Sequence, residues 1–247
     1  MSEYKFPVET IDLPSEGKVY PASSPLATGK LDVKYMTARE EDILTSTNIR
    51  AAGSALEQVI NNLIATPGVK MADLVPGDIE AIIVGCRILA YGKDYPVELG
   101  CTTCGQKFTT VVDVSKLKLK HITEPVKDGK FSTVLPTGVE VVVRVLTRAQ
   151  LQKVQEEVEH TKKLENIERD ITILHRHMLV SVDGDTSFGK LKTFSENMLA
   201  RDSLALRKFV KKILPGVDYT ITCTCTHCGA NVEGGMPMGA DFFWPEA

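Results

Sequence analysis

The sequence predicts an α+β protein made of two related units, each a hairpin followed by helices and half of a zinc ribbon, joined at one four-cysteine site. Three observations lead there. Two C-x-x-C-G knuckles stand at Cys101–Cys104 and Cys225–Cys228. Apolar stripes of helical period alternate with short valine-rich runs. The same order of elements occurs on both sides of a polar stretch, so the reading divides the chain into residues 1–115, a linker 116–130 and a second unit 131–247.

The first 35 residues carry turn signals at Leu13-Pro14-Ser15-Glu16-Gly17, Ser24-Pro25 and Thr28-Gly29, which predicts extended chain and a hairpin closing with Leu31–Tyr35. Thr37 and Glu40 form a T-x-x-E capping box, so a helix starts there. Ile49, Ala52, Leu56, Val59, Ile60, Leu63 and Ile64 keep its period, and Pro67-Gly68 stops it. A second helix begins near Asp78 and ends at Gly92. Tyr95–Leu99 and Lys107–Val114 read as strands flanking the first knuckle.

Pro125 and Asp128-Gly129 mark the polar linker. Phe131–Leu135 and Val139–Leu146 follow as a hairpin around Pro136-Thr137-Gly138. Thr147 caps one long helix whose stripe runs from Leu151 through Ile167 to Met178, broken at Asp183-Gly184-Asp185. A last helix starts between Ser195 and Asp202 and runs to Leu214; a strand, Tyr219–Thr224, leads into the second knuckle.

The spacing supports an internal duplication. Asp78 lies 23 residues before Cys101, and Asp202 lies 23 before Cys225. Gly92, Asp94, Tyr95 and Val97 fall on Gly216, Asp218, Tyr219 and Ile221. Thr37 and Thr147 are offset by 110 rather than 124, which places a 14-residue insertion in the second unit's helical part.

With 43% hydrophobic and 25% charged residues over 247 positions, the chain buries a real core. Its net charge of −3 supplies no broad positive field for coating nucleic acid or an anionic membrane. No apolar run reaches the ~18 residues of a membrane helix, and the start MSEYKFPVET lacks a signal peptide's pattern, so a cytoplasmic protein is expected. P-loop, G-x-G-x-x-G, G-x-S-x-G and H-E-x-x-H motifs are missing, and no enzyme is expected.

Six cysteines are too few for a disulfide scaffold and too clustered for chance packing. Cys101, Cys104, Cys225 and Cys228 offer four sulfurs to one tetrahedral ion, predicted as a single structural zinc at about 2.3 Å from each sulfur, closed to substrate. Iron in the same cage, a redox dithiol and a metal-free cluster are the alternatives. Redox chemistry is disfavoured because Cys104 leads into strand-like sequence rather than opening a helix. Cys223 and Cys86 read as packed side chains, and His227 as an exposed turn residue. His160, His175 and His177 lack metal-binding helical spacing, so packing or solvent roles are expected. Arg207, Lys208, Lys211 and Lys212 form the one concentrated basic run, read here as favourable cations near a helix C-terminus. Phe242, Phe243 and Trp244 crowd aromatic groups into the C-terminal tail and are read as partner-binding anchors, against closure of the chain's own core.

Leu13-Pro14-Ser15-x-Gly17-x-x-Tyr20-Pro21, Met36-Thr37-Ala38-Arg39-Glu40-Glu41, Arg87-x-x-x-Tyr91-Gly92, Cys101-x-x-Cys104-Gly105 and Phe242-Phe243-Trp244-Pro245 together resemble the baseplate hub family of T-even-like contractile bacteriophages. The resemblance covers nearly the whole chain. It implies a virus-encoded, non-enzymatic tail protein that binds other hub or tail proteins in the host cytoplasm, either staying in the virion's baseplate or serving only its assembly. A zinc-ribbon regulator of nucleic acid is the alternative; it would need a basic or aromatic ribbon surface, and Thr102, Thr103, Thr224 and Thr226 supply none. Small-molecule substrates are not expected, because four thiolates leave a metal no open position.

Overall fold

The computed structural model describes residues 7–45, 52–236 and Phe242. Strands β1 (Val8–Asp12) and β2 (Lys30–Lys34) pair antiparallel, joined by the turn-rich segment that the Pro and Gly signals mark. Helices α1 (Ala38–Thr45) and α2 (Ala52–Leu63) follow. At the start of α1 the Glu40 carboxylate accepts from the Thr37 amide at 3.0 Å. The Thr37 hydroxyl donates to the same carboxylate at 2.6 Å instead of accepting from the helix. Helix α3 (Pro76–Tyr91) opens with Pro76 at its first position and stops at Gly92.

Strands β3 (Asp94–Gly100) and β4 (Lys107–Asp113) form the first ribbon hairpin, with Leu99 opposite Phe108 and Gly100 opposite Lys107. In the stretch expected as a linker, β5 (Lys118–Lys120) pairs antiparallel with β9 (Gly216–Asp218), and Ile122 is buried. Strands β6 (Lys130–Val134), β7 (Glu140–Arg144) and β8 (Leu179–Val182) make a three-stranded antiparallel sheet. The four residues of β8, Leu-Val-Ser-Val, directly follow the helical stripe that ends at Met178; pairing with β7, through an irregularity at Val142/Val143, makes them a strand.

The single long helix expected after Thr147 is instead two. Helix α4 (Arg148–Glu165) ends where Asn166 turns left-handed at φ 55°, with its amide on the Lys162 carbonyl. Helix α5 (Asp170–Met178) then doubles back along α4. Reversal lets Val154 meet Ile173 and Met178 in a small cluster with Leu146, while Leu164, Ile167 and Ile171 stay exposed. A continuous helix would have carried those buried pairs far apart. The full capping box at Thr147 uses Gln150, whose side chain accepts from the Thr147 amide at 3.0 Å. Helix α6 (Phe188–Asn197), unmarked by a clear stripe, precedes α7 (Ala200–Ile213). Strands β10 (Thr220–Thr224) and β11 (Asn231–Gly235) complete the second ribbon hairpin.

One continuous core runs through both halves, from Leu13 and Val33 through Ile82 and Phe131 to Leu206 and Phe242, all nearly inaccessible. Contacts across the halves are close. A Cβ on Gly77 of α3 would lie 2.0 Å from the Pro215 carbonyl oxygen, so only glycine lets α3 approach β9 this way. Beside it the Glu80 carboxylate accepts from the Val217 amide at 3.1 Å. Among the described residues no helix is long and apolar enough to cross a membrane.

Candidate metal centre

Each knuckle is a tight turn at the tip of a ribbon hairpin, and the two turns are built alike. In the first, the Cys101 amide donates to the Gln106 carbonyl and the Gly105 amide to the Cys101 carbonyl, each at 2.9 Å. In the second, the Cys225 amide donates to Ala230 at 2.8 Å and Gly229 to Cys225 at 2.9 Å. Gly105 and Gly229 take φ of 72° and 75°, the left-handed conformation that costs glycine nothing and lets both sulfurs of a knuckle face the same way. Strand register is also shared. Cys223 faces Val232 as Leu99 faces Phe108, and Thr224 faces Asn231 as Gly100 faces Lys107.

The turns meet. Cys101 Sγ lies 3.6 Å from Cys228 Sγ, Cys104 Sγ lies 3.8 Å from Cys225 Sγ, and all four sulfurs fall within 4.8 Å of one another. A tetrahedron with metal–sulfur bonds of ~2.3 Å has sulfur–sulfur edges of about 3.8 Å, so the four donors fit one ion with little movement. In both knuckles the first cysteine is buried and the second exposed. The inner pair, Cys101 and Cys225, packs into the core, and the outer pair, Cys104 and Cys228, faces solvent.

Electrostatics agree with a thiolate trap. The Cys104 amide, donating to Cys101 Sγ, is the largest influence that brings that thiol down to about 6. The Ala230 amide favours the Cys228 thiolate, yet desolvation and the three neighbouring sulfurs outweigh it and push that thiol up to about 12. The Cys101 thiolate forms readily and the Cys228 thiol resists ionising; a bound cation would supply the charge that favours both thiolates.

The remaining cysteines stand apart. Cys86 is 2% exposed and burial pushes its thiol up to about 12, while Cys223 is half-buried in the ribbon. His227 is exposed, with Nε2 3.1 Å from the Lys107 carbonyl across the two ribbons, and it takes no place in the sulfur cluster. His177 pairs with Glu157 at 2.9 Å, and His175 is 2% exposed. Of the tail residues, Phe242 is 1% exposed and packs its ring edge-on to Tyr95, 5.1 Å between centroids. That ring belongs to the chain's own core. Phe243 and Trp244 lie outside the described residues.

Two further carboxylates brace the scaffold that aims the knuckles. Asp78, in the first turn of α3 and fully buried, accepts from the Ser15 amide at 2.9 Å, the Ser15 hydroxyl at 2.7 Å and the Tyr20 hydroxyl at 2.6 Å. Asp202, in the first turn of α7, accepts from the Thr137 amide at 3.2 Å and the Thr137 hydroxyl at 2.7 Å. Ser15 and Thr137 each follow a Leu-Pro pair in the turn of their own half's first hairpin. The signal was present as Leu13-Pro14-Ser15 and Leu135-Pro136-Thr137, but a hydroxyl in a turn reads as a local bond until its distant acceptor is known.

Fold and site together make a protein of helices and small antiparallel sheets whose two ribbon hairpins bring four cysteine sulfurs into one cluster. The family model described as "T4 bacteriophage base plate protein" matches residues 5–244, and the chain belongs to that family. No curated protein and no solved structure matches it.

Proposed function

We propose that this baseplate protein is a component or assembly factor of the central hub, acting through contacts with other tail proteins and held in shape by one structural zinc. The observation that carries the zinc is the tetrahedral fit of Cys101, Cys104, Cys225 and Cys228, whose closed set of donors leaves no position for substrate. Metal would close a loop of more than 120 residues between the two ribbons, and so stabilise the junction of the halves rather than perform chemistry. The closed donor set and the baseplate family both support a non-enzymatic role.

The two halves are read as a duplication. Support comes from the shared ribbon register, the shared knuckle bonds and the two first-turn aspartates that grip Leu-Pro-Ser and Leu-Pro-Thr turns at separations of 63 and 65 residues. Phe243 and Trp244 are the proposed anchors for a hub partner, beside a Phe242 already used in the core.

Elemental analysis of protein made under reducing conditions tests the zinc: one zinc per chain is expected, and metal-free folded protein overturns it. A nonsense mutation in the phage gene tests the hub role. Heads should form while baseplates stay incomplete, and normal baseplates would refute it. Phe243→Ala with Trp244→Ala should leave thermal stability unchanged and block entry into tail intermediates; unimpaired entry removes the anchor.

A further inference from the structure

The basic run read from sequence as a dipole effect looks different once α7 is seen in place. Asp202, Leu206 and Ile213 turn inward and are buried. The outward face carries Arg201, Leu204, Arg207, Lys208, Lys211 and Lys212. Asp202 is the one acidic residue of the helix, and its carboxylate is spent on Thr137. Lys212 meets Glu124 at 2.5 Å, whereas Arg201, Arg207, Lys208 and Lys211 have no ion pair among the described residues.

A helix dipole accounts for Lys211 and Lys212 in the last turn, but it disfavours Arg201 in the first. Arg207 with Lys211 and Lys208 with Lys212 are also like-charge i, i+4 pairs, which destabilise a helix. The fold adds to this charge instead of relieving it. Pairing of β5 with β9 carries exposed Lys120 to the same side, where its Nζ donates to the Lys211 carbonyl at 2.7 Å. In a chain of net charge −3, such a concentration on one helix asks for an external anion.

We infer that the outer face of α7, extended by β5, is a docking surface for an acidic amphipathic segment of another protein. This deepens the reading of the chain as a baseplate protein that works by contacts, and rests on it. From Arg201 to Lys211 the face spans about 15 Å, nearly three helical turns. Leu204, 47% exposed, sits in the middle of the cations, with Leu199, 54% exposed, at the helix start. An apolar group there suits a leucine-bearing acidic helix, whose carboxylates would meet the cations on either side. A nucleic-acid backbone makes no use of it, and the helix's single aromatic, Phe209, is half-buried and leaves no platform for stacking bases.

The test uses the full-length, metal-loaded protein and fluorescence anisotropy at low and moderate salt. The probe is a labelled 15-residue helical peptide with glutamates at i, i+4 and i+7 beside a leucine stripe. Duplex DNA of equal charge and a glutamate-only peptide serve as comparisons. The amphipathic peptide should bind best. Combined Arg201→Glu, Lys208→Glu and Lys211→Glu should weaken it at least tenfold, and Leu204→Ala severalfold with an unchanged salt slope. Single Lys208→Glu, a milder change, should weaken it severalfold, with a melting curve confirming an intact fold. Lys153→Glu with Lys163→Glu, exposed lysines of α4, should change nothing. DNA binding as tight as the peptide's, equal weakening by the α4 changes, or no peptide binding overturns the proposal. Failure of the hub reading shows separately, in the nonsense-mutant phenotype.

Discussion

Replacing Asp78 by Ala removes the acceptor for three donors at once: the Ser15 amide, the Ser15 hydroxyl and the Tyr20 hydroxyl, all within 2.9 Å. Ser15 is fully buried and Tyr20 is 8% exposed, so water does not replace the carboxylate. Hydrogen bonds to a charged group contribute roughly 1.5–3 kcal/mol each, which would put the loss near 7 kcal/mol. Part of that is offset, because the buried carboxylate is itself costly: desolvation raises the Asp78 pKa despite its three donors. Breaking a buried charged network by removing one partner typically costs 3–5 kcal/mol, and about 4 kcal/mol is expected here. The same change at Asp202 removes two bonds, and its partner Thr137 is exposed to water, so about 1–2 kcal/mol is expected. For a chain of this size 1 kcal/mol shifts the melting temperature by roughly 2–4 °C. Asp78→Ala should therefore lower it by roughly 8–16 °C, and Asp202→Ala by only a few degrees. Urea titration and thermal melts of metal-loaded protein, followed by circular dichroism, measure both. Equal losses, or a larger loss at Asp202, would refute the claim that solvent access at the turn sets the cost.

Burial, with the charge of Arg207 adding to it, lowers His175 from the ordinary 6.5 to about 4; the unfolded chain then takes up the proton first. Stability should fall as pH drops from about 6.5 to about 4, by roughly 2 kcal/mol once residual solvent screening is allowed for, and His175→Leu should flatten that part of a stability-versus-pH curve. Gly77→Ala forces a methyl to 2.0 Å from a backbone oxygen, and a loss of about 3 kcal/mol or more is expected by chemical denaturation. A Gly100→Ala control meets nothing within 4 Å. On the proposed zinc site, Cys104→Ser and Cys228→Ser should lower the melting temperature by similar large amounts, since each would leave three thiolates for the ion; a chelator should do the same to wild-type protein and little to either variant.

Short-range chemistry was legible in the sequence. The C-x-x-C-G turns need only their own residues to converge two sulfurs, and the capping residues at Thr37 and Thr147, Pro76 at the start of α3 and Gly92 at its end act within one helical turn. Ribbon strands around the cysteines were readable for the same reason. The division of the long stripe into α4 and α5 had a local clue in Asn166, yet a helical period continues across it, and only the packing of Val154 on Ile173 and Met178 decides for reversal. Strands β5, β8 and β9 are three or four residues long and exist by pairing with distant partners. Acceptors for the turn hydroxyls of Ser15 and Thr137 lie 63 and 65 residues away. By itself, then, the sequence determined that the chain carries two half-sites, each complete as a local turn. Tertiary structure decided that they form one site, because the sulfur pairs that meet at 3.6 and 3.8 Å are 127 and 121 residues apart, a closure set by the shared core and not by any spacing in the chain.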